Sequence, residues 1–500
     1  KGLTYSTNYT FTLAAGSVAD LTGNNIIKND ITIAFETKVK PAISKGHYDA
    51  IVSTSEELDA AIAAASKRAD QNTRYRIFIK NGKYVLAGSG EDKTVSIQLA
   101  NGTNETRTYK NPTTYFKGSN VSFIGEDYGK VIITNKAGDL DTYEGKYGTA
   151  CVAEGIGNGD VLQNTGTLNY FQGVTIKTSM GDARGRDIAY QEKGNKTIFK
   201  DACLWGYQDT YTSNNQKGKF YFEGGVIRGR TDYLCGKGDV YYNGVTLLQC
   251  GTGGYLAVPS QAKKYGYVFN NCHIKKETKD VSYYLGRPWG SGTPVACFIN
   301  TKMDVAPLGN GWADMSGGWP KRFAEYNSFL SSGTSIDLSG RRTEWTDGSG
   351  NKHSNDPILT LDDVQSMSLA NVMGQDDDWD PTALTEQASA PANVKIEGST
   401  ISWDNSDYVF CWVIFKNGEY AGNTTETSFS IDDANAAWTV RAANEMGGLG
   451  EAAKATVSTG INELTKTGDT VSPIYNALGQ RINASTKGLQ ISKNGKRIVK

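Results

Sequence analysis

Between residues 171 and 303 the chain repeats one short figure: an aromatic residue, any residue, then glycine, asparagine or aspartate, two further residues, and an aliphatic one. The copies run from Phe171 to Ile176, Phe199 to Leu204, Phe222 to Ile227, Tyr242 to Leu247, Phe269 to Ile274 and Phe298 to Met303, at separations of 28, 23, 20, 27 and 29 residues. Periods of this size mark one solenoid turn per copy. Each unit is too short and strand-rich for a helical repeat and lacks leucine-rich spacing, so the pattern predicts a parallel β-helix burying aromatic and aliphatic stacks. The segments from Arg76 to Ile79 and from Val121 to Ile124 are expected as its first turns. The fold class expected is all-β, a right-handed parallel β-helix over 46–388 with flanking β-sandwich modules.

The flanks read differently. Residues 1–40 alternate polar and apolar positions (Tyr9-Thr10-Phe11-Thr12-Leu13, Ile31-Thr32-Ile33-Ala34-Phe35) around the turn cluster Thr22-Gly23-Asn24-Asn25. This half of a β-sandwich resembles the closing strands of a bacterial immunoglobulin-like module, whose first half is expected to have been lost. Thr54-Ser55-Glu56-Glu57 followed by Leu58, Ala61, Ile62 and Ala65 reads as a capping box opening a short amphipathic helix, suited to closing the end of a solenoid. From about 346 to 388 the pattern turns polar and acidic (Asp376-Asp377-Asp378-Trp379-Asp380-Pro381), as expected of a tail wrapping back. Residues 390–458, with alternating strands, a buried-type Trp403 and Val440-Arg441-Ala442-Ala443-Asn444, resemble a fibronectin type III module. Residues 461–500 resemble the C-terminal segments that sort bacterial proteins to the cell surface; an ordinary hairpin with a basic end is the other reading.

Composition narrows the picture. Glycine at 57, tyrosine at 27 and 21% charged residues describe a strand-and-turn protein. A net charge of −1 gives no sequence-wide basic field, so nucleic acid is not the expected partner. No run of about 18 apolar residues occurs, so no membrane span is expected. No signal peptide is visible, and the chain opens in mid-pattern at Lys1-Gly2-Leu3-Thr4-Tyr5, which reads as a piece of something longer. Seven cysteines (Cys151, Cys203, Cys235, Cys250, Cys272, Cys297, Cys411) show no CxxC pair and sit mainly in apolar strand patterns, so most read as core residues. An oxidising compartment leaves room for one or two disulfides, with at least one cysteine left over.

Register converts the repeat into chemistry. Residues one turn apart in a parallel β-helix stack at about one strand spacing, about 4.8 Å. Asp209 lies ten residues after Phe199, and Asp232 ten after Phe222, which predicts two carboxylates on neighbouring turns of one face. Such a pair cannot easily ionise twice, so one member is expected to hold a proton while the other keeps its charge beside a cation. Arg287, 55 residues beyond Asp232, is the expected cation, and Gln208 an amide donor to a developing oxyanion. Only His47, His273 and His353 exist, no Gly-x-Ser-x-Gly elbow occurs, and His273 falls within a repeat strand, where a structural role is expected.

Three blocks in order, Gly206-Tyr207-Gln208-Asp209-Thr210, then Gly229-Arg230-Thr231-Asp232-Tyr233-Leu234-Cys235-Gly236, then Leu285-Gly286-Arg287-Pro288-Trp289, resemble the signature blocks of pectin methylesterases over roughly 46–388. The middle block departs at Tyr233 and Cys235, where the family usually has phenylalanines. Arg186 stands where the family usually carries a second oxyanion glutamine, 22 residues before Gln208. The resemblance implies hydrolysis of galacturonate methyl esters in pectin, with Asp232 as nucleophile, Asp209 as general acid and base, Gln208 for the oxyanion and Arg287 positioning Asp232. It implies substrate contacts from Trp289, Arg186, Thr149, Tyr233 and Met315, no cofactor and no metal, methylated homogalacturonan as partner, a monomer, and secretion to a bacterial cell surface or periplasm. Two rivals remain: a β-helix polysaccharide lyase, which needs a calcium-binding acidic cluster and a basic proton abstractor, and a non-catalytic polysaccharide-binding protein.

Overall fold

The computed structural model describes residues 6–19, 26–37, 43–98, 102–137, 159–182, 186 and 188–457, and in the C-terminal stretch 474–475, 481–482, 488–492 and 495–499. Lys1–Thr456 form one compact unit and Val457–Lys500 a second. Within the first, parallel strands build three long sheets of ten, nine and seven strands. Each full turn of the chain adds one strand to each sheet, which is a right-handed parallel β-helix.

The repeat read from sequence is the turn of this solenoid. In the ten-stranded sheet Phe123, Phe171, Phe199, Phe222, Tyr242, Phe269 and Phe298 lie in direct register. From Phe171 to Phe298 their rings stack at 4.2 to 5.1 Å between centroids. In the nine-stranded sheet Ile176, Leu204, Ile227, Leu247, Ile274 and Met303 form the aliphatic column. Both columns are buried, each large side chain contributing about 1.5–3 kcal/mol. The polar position of the figure has its own cause. Gly173, Asp201, Gly224, Gly244, Asn271 and Asn300 take positive φ (44 to 68°) at the corner between the two sheets, where only glycine or a short polar residue bends the chain cheaply.

The N-terminal end is closed by the helix Ser55–Lys67, with Leu58, Ala61, Ile62 and Ala65 buried as expected. Thr54 accepts from the Glu57 amide at 3.2 Å, and the Glu57 carboxylate accepts from the Ser53 amide at 2.7 Å, one residue earlier than a standard box. The acidic tail does return along the solenoid, but it carries two short helices that its polarity concealed, Leu361–Ser366 and Leu369–Gly374. Val372 and Met373 join a buried cluster with Tyr221 and Tyr241 on the outer face of the ten-stranded sheet. Lys219 pairs with Asp377 at 2.5 Å and Lys263 with Asp376, so the acidic run is matched by lysines of the solenoid.

Residues 395–457 form two four-stranded sheets around Trp403, Trp412 and Trp438. Phe410, Val413, Met446 and Leu449 from this region share a buried cluster with Tyr48, Phe78, Ile124 and Tyr170 of the solenoid. Tyr48 donates to the Gly447 carbonyl at 2.6 Å, and the Arg76 guanidinium lies 4.0 Å from the Phe410 ring centroid. The N-terminal region contributes an antiparallel pair, Asn8–Leu13 with Ile31–Glu36. The second unit holds a four-stranded antiparallel sheet of Ile474–Tyr475, Arg481–Ile482, Gly488–Ser492 and Gly495–Val499. The six described cysteines are buried free thiols, and Cys151 lies outside the described residues.

Candidate active site

The seven-stranded sheet carries the candidate site. Its strands Tyr211–Ser213 and Thr231–Lys237 pair Tyr211 with Leu234, and an isolated bridge pairs Gln208 with Thr231. Both registers place Asp209 level with Asp232, one turn apart. Each aspartate adopts the left-handed conformation, φ 58° and 52°, and the Asp209 amide donates to the Thr231 carbonyl at 3.1 Å.

Arg287 reaches Asp232 from the turn after strand Tyr283–Gly286. Its Nε donates to Oδ1 at 2.9 Å and Nη2 to Oδ2 at 2.5 Å, a two-pronged pair. The guanidinium sits 3.9 Å from the centroid of the Tyr255 ring, which fixes its plane. Gly286 is required here, because a Cβ would lie 2.1 Å from the Ala257 carbonyl oxygen.

The environment separates the two acids. Burial first, then the charge of Asp232, pushes the Asp209 carboxyl up to about 7, with Arg186 and Arg287 pulling it down and Asp160 adding to the rise. Burial also raises Asp232, but there the Arg287 hydrogen bonds and charge oppose it. Of the pair, Asp209 therefore holds a proton more readily, and Asp232 the negative charge.

Arg186, Gln208, Asp209, Asp232, Trp289 and Met315 line one cleft of about 220 Å³, with Cys235 and Val258 completing its wall. Trp289 is half exposed at its edge. A larger depression lies beside the helix Ser55–Lys67, but it has no arginine-bound carboxylate pair. Tyr233 requires a correction: it is fully buried in the solenoid core and does not face the cleft. Asp232 points outward, and the next residue on the strand points inward, where its ring packs against Gly229. Thr149 lies outside the described residues. His273 accounts for itself structurally, its Nε2 lying 2.8 Å from Asp304 Oδ1.

Three contributors escaped the sequence reading. Cys235 shares the strand of Asp232 and Val258 pairs with it one turn on, so one-turn spacing from Cys235 was the signal available for Val258. Burial and then the Asp209 charge push the Cys235 thiol well above its ordinary range, leaving it as an inert, weakly polar wall. Asp160, buried and itself raised to about 7 by desolvation, acts on Asp209 electrostatically, and nothing in its local sequence marks it. Among the described residues, no group of three or more histidine, cysteine, aspartate or glutamate side chains is disposed to hold a metal ion.

The pectinesterase family model matches residues 49–358, a span that includes the whole cleft. The chain belongs to the pectinesterase family. It is 32% identical over 182 residues to putative pectinesterase 11 of Arabidopsis thaliana, covering 35% of this chain and 48% of that protein. It is 27% identical over 316 residues to probable pectinesterase 30 of the same plant, covering 60% and 54%. The chain thus spans about half the length of these plant relatives. With pectinesterase A of Dickeya dadantii it shares 27% identity over 382 residues, 66% of this chain and 95% of that one. Among solved structures, a pectin methylesterase from carrot aligns over 67% of this pectinesterase-family chain and 94% of its own, at 17% identity and a TM-score of 0.48.

Proposed function

We propose that this chain hydrolyses methyl esters of galacturonate units in pectin, releasing methanol and leaving free carboxylates on the polymer. The observation that carries the reading is the asymmetric pair: Asp232 clamped by Arg287, with the buried Asp209 level with it on the adjacent turn and pushed up to about 7, in one cleft with Gln208, Arg186 and Trp289.

Asp232 attacks the ester carbonyl carbon, and the Gln208 amide and Arg186 guanidinium receive the charge that develops on the carbonyl oxygen. As the bond to the methoxy oxygen breaks, Asp209 gives its proton to the departing methanol. The acyl group then sits on Asp232 as a mixed anhydride. Asp209, now ionised, takes a proton from water, which attacks the acyl carbon, and the bond to Asp232 breaks to regenerate the carboxylate. Arg287 holds Asp232 ionised and in line before the attack and receives its carboxylate again when the anhydride is hydrolysed. Trp289 offers an apolar face to a sugar ring, and Met315 lines the same cleft.

A polymeric wall substrate places the work outside the cell, at a bacterial surface or in a periplasm. The immunoglobulin-like, fibronectin type III-like and sorting-like readings of 1–40, 390–458 and 461–500 belong to this proposal, with the protein acting as a monomer. Incubation with highly methylated pectin tests it: methanol must accumulate in step with new carboxylates and without unsaturated sugar ends. Unsaturated ends without methanol would mean a lyase, and binding with neither product would mean a non-catalytic polysaccharide-binding protein.

A further inference from the structure

Four residues before Asp232, Arg228 lies 5% exposed in strand Val226–Gly229, and every N–H of its guanidinium is used. Nε and Nη2 donate to the two carboxylate oxygens of Glu277, each at 2.8 Å. Nη1 and Nη2 donate to the two of Asp182, again each at 2.8 Å. The fifth bond runs from Nη1 to the backbone carbonyl of Gly206 at 2.9 Å. The flat face of the group covers Trp205, 4.8 Å from the ring centroid. Its own carbonyl accepts from Thr210 Oγ1 at 2.9 Å and from the Gly206 amide at 3.3 Å.

One residue thus brackets 206–210 at both ends, and that turn holds Gln208 and Asp209. Asp182, caught by the same guanidinium, lies four residues before Arg186. A buried cation with two carboxylates is a poor way to gain stability, since desolvation offsets most of the attraction. It is a good way to hold separate segments in one geometry, because five bonds in a rigid plane leave little freedom.

Resting on the esterase reading, we propose that Arg228 is a positioning residue: it fixes the Gln208–Asp209 turn and ties Asp182 to it. Gln208 and the general acid Asp209 then keep their places while the acyl group forms on Asp232. Misplacement of reacting groups by about 1 Å costs about 100-fold in rate, so this is the scale of loss expected.

The test uses R228M, R228K and D182N in the full chain, read by methanol release and thermal unfolding. R228M is expected to lose about 100-fold in kcat with KM close to wild type. R228K keeps a cation between the two carboxylates, so its Tm should stay near wild type. Three ammonium donors cannot serve five acceptor positions, so its kcat should remain at least about tenfold down. A loosened turn admits water to Asp209, so the alkaline limb of the pH profile should move to lower pH in both variants. If R228M does not fold, R228K and the half-exposed D182N carry the decision. Folded R228K and D182N with wild-type kcat and an unmoved alkaline limb would overturn the proposal. Failure of the esterase reading is distinguishable, because it shows in the wild-type protein as no methanol at all.

Discussion

Asp209 and Asp232 hold equivalent places on adjacent turns, both left-handed, and of the two Asp232 is the one gripped by a two-pronged arginine. The solenoid supplies the symmetry and Arg287 breaks it. Two chemically identical side chains are therefore given different affinities for a proton.

The pH profile follows from that difference. The first step of the proposed mechanism needs Asp209 protonated and Asp232 ionised. Asp209 loses its proton at about 7, so kcat/KM should fall about tenfold per pH unit above that value. On the acid side it should fall as Asp232 takes up a proton. Initial rates of methanol release from pH 4 to pH 9 check the shape, and the two inflections belong to the coupled pair.

Asp209 also costs stability. The folded protein keeps this proton up to about 7, whereas the unfolded chain releases it near 3.8. Between those values the folded state binds more protons, so stability falls as pH rises through the window and the full penalty is present above it. At about 1.4 kcal/mol per unit the penalty reaches at most about 4 kcal/mol. D209N should therefore be more stable than wild type at pH 8 and equal to it below pH 4, as read by urea unfolding at both.

Arg287 is not replaceable by lysine. An ammonium cannot make two parallel bonds to Asp232, nor lie flat on Tyr255. R287K should lose about 100-fold in kcat while its unfolding temperature changes little. Steady-state kinetics alongside a thermal melt separates the two effects.

Much of this was legible in advance because a solenoid turns sequence offset into spatial contact. The glycine, asparagine and aspartate positions of the repeat marked its left-handed corners, and the equal offsets of Asp209 and Asp232 marked their juxtaposition. Tyr233 was misread because sequence neighbours of a site residue on a strand alternate between its two faces, and being next to Asp232 placed it in the core. Asp160 and Arg228 act across turns whose lengths vary, so no fixed spacing announced them. The helices Leu361–Ser366 and Leu369–Gly374 are too short to show a period. Their place is set by packing against the solenoid rather than by local pattern.

The most direct measurement compares methanol release by the wild type and D232N on highly methylated pectin near pH 6, with polymer binding followed in parallel. Replacing the proposed nucleophile with an isosteric amide should lower the rate by about 10⁴-fold or more while the polymer still binds. Turnover by folded D232N at a rate comparable to wild type would contradict the assignment of Asp232 and the mechanism built on it.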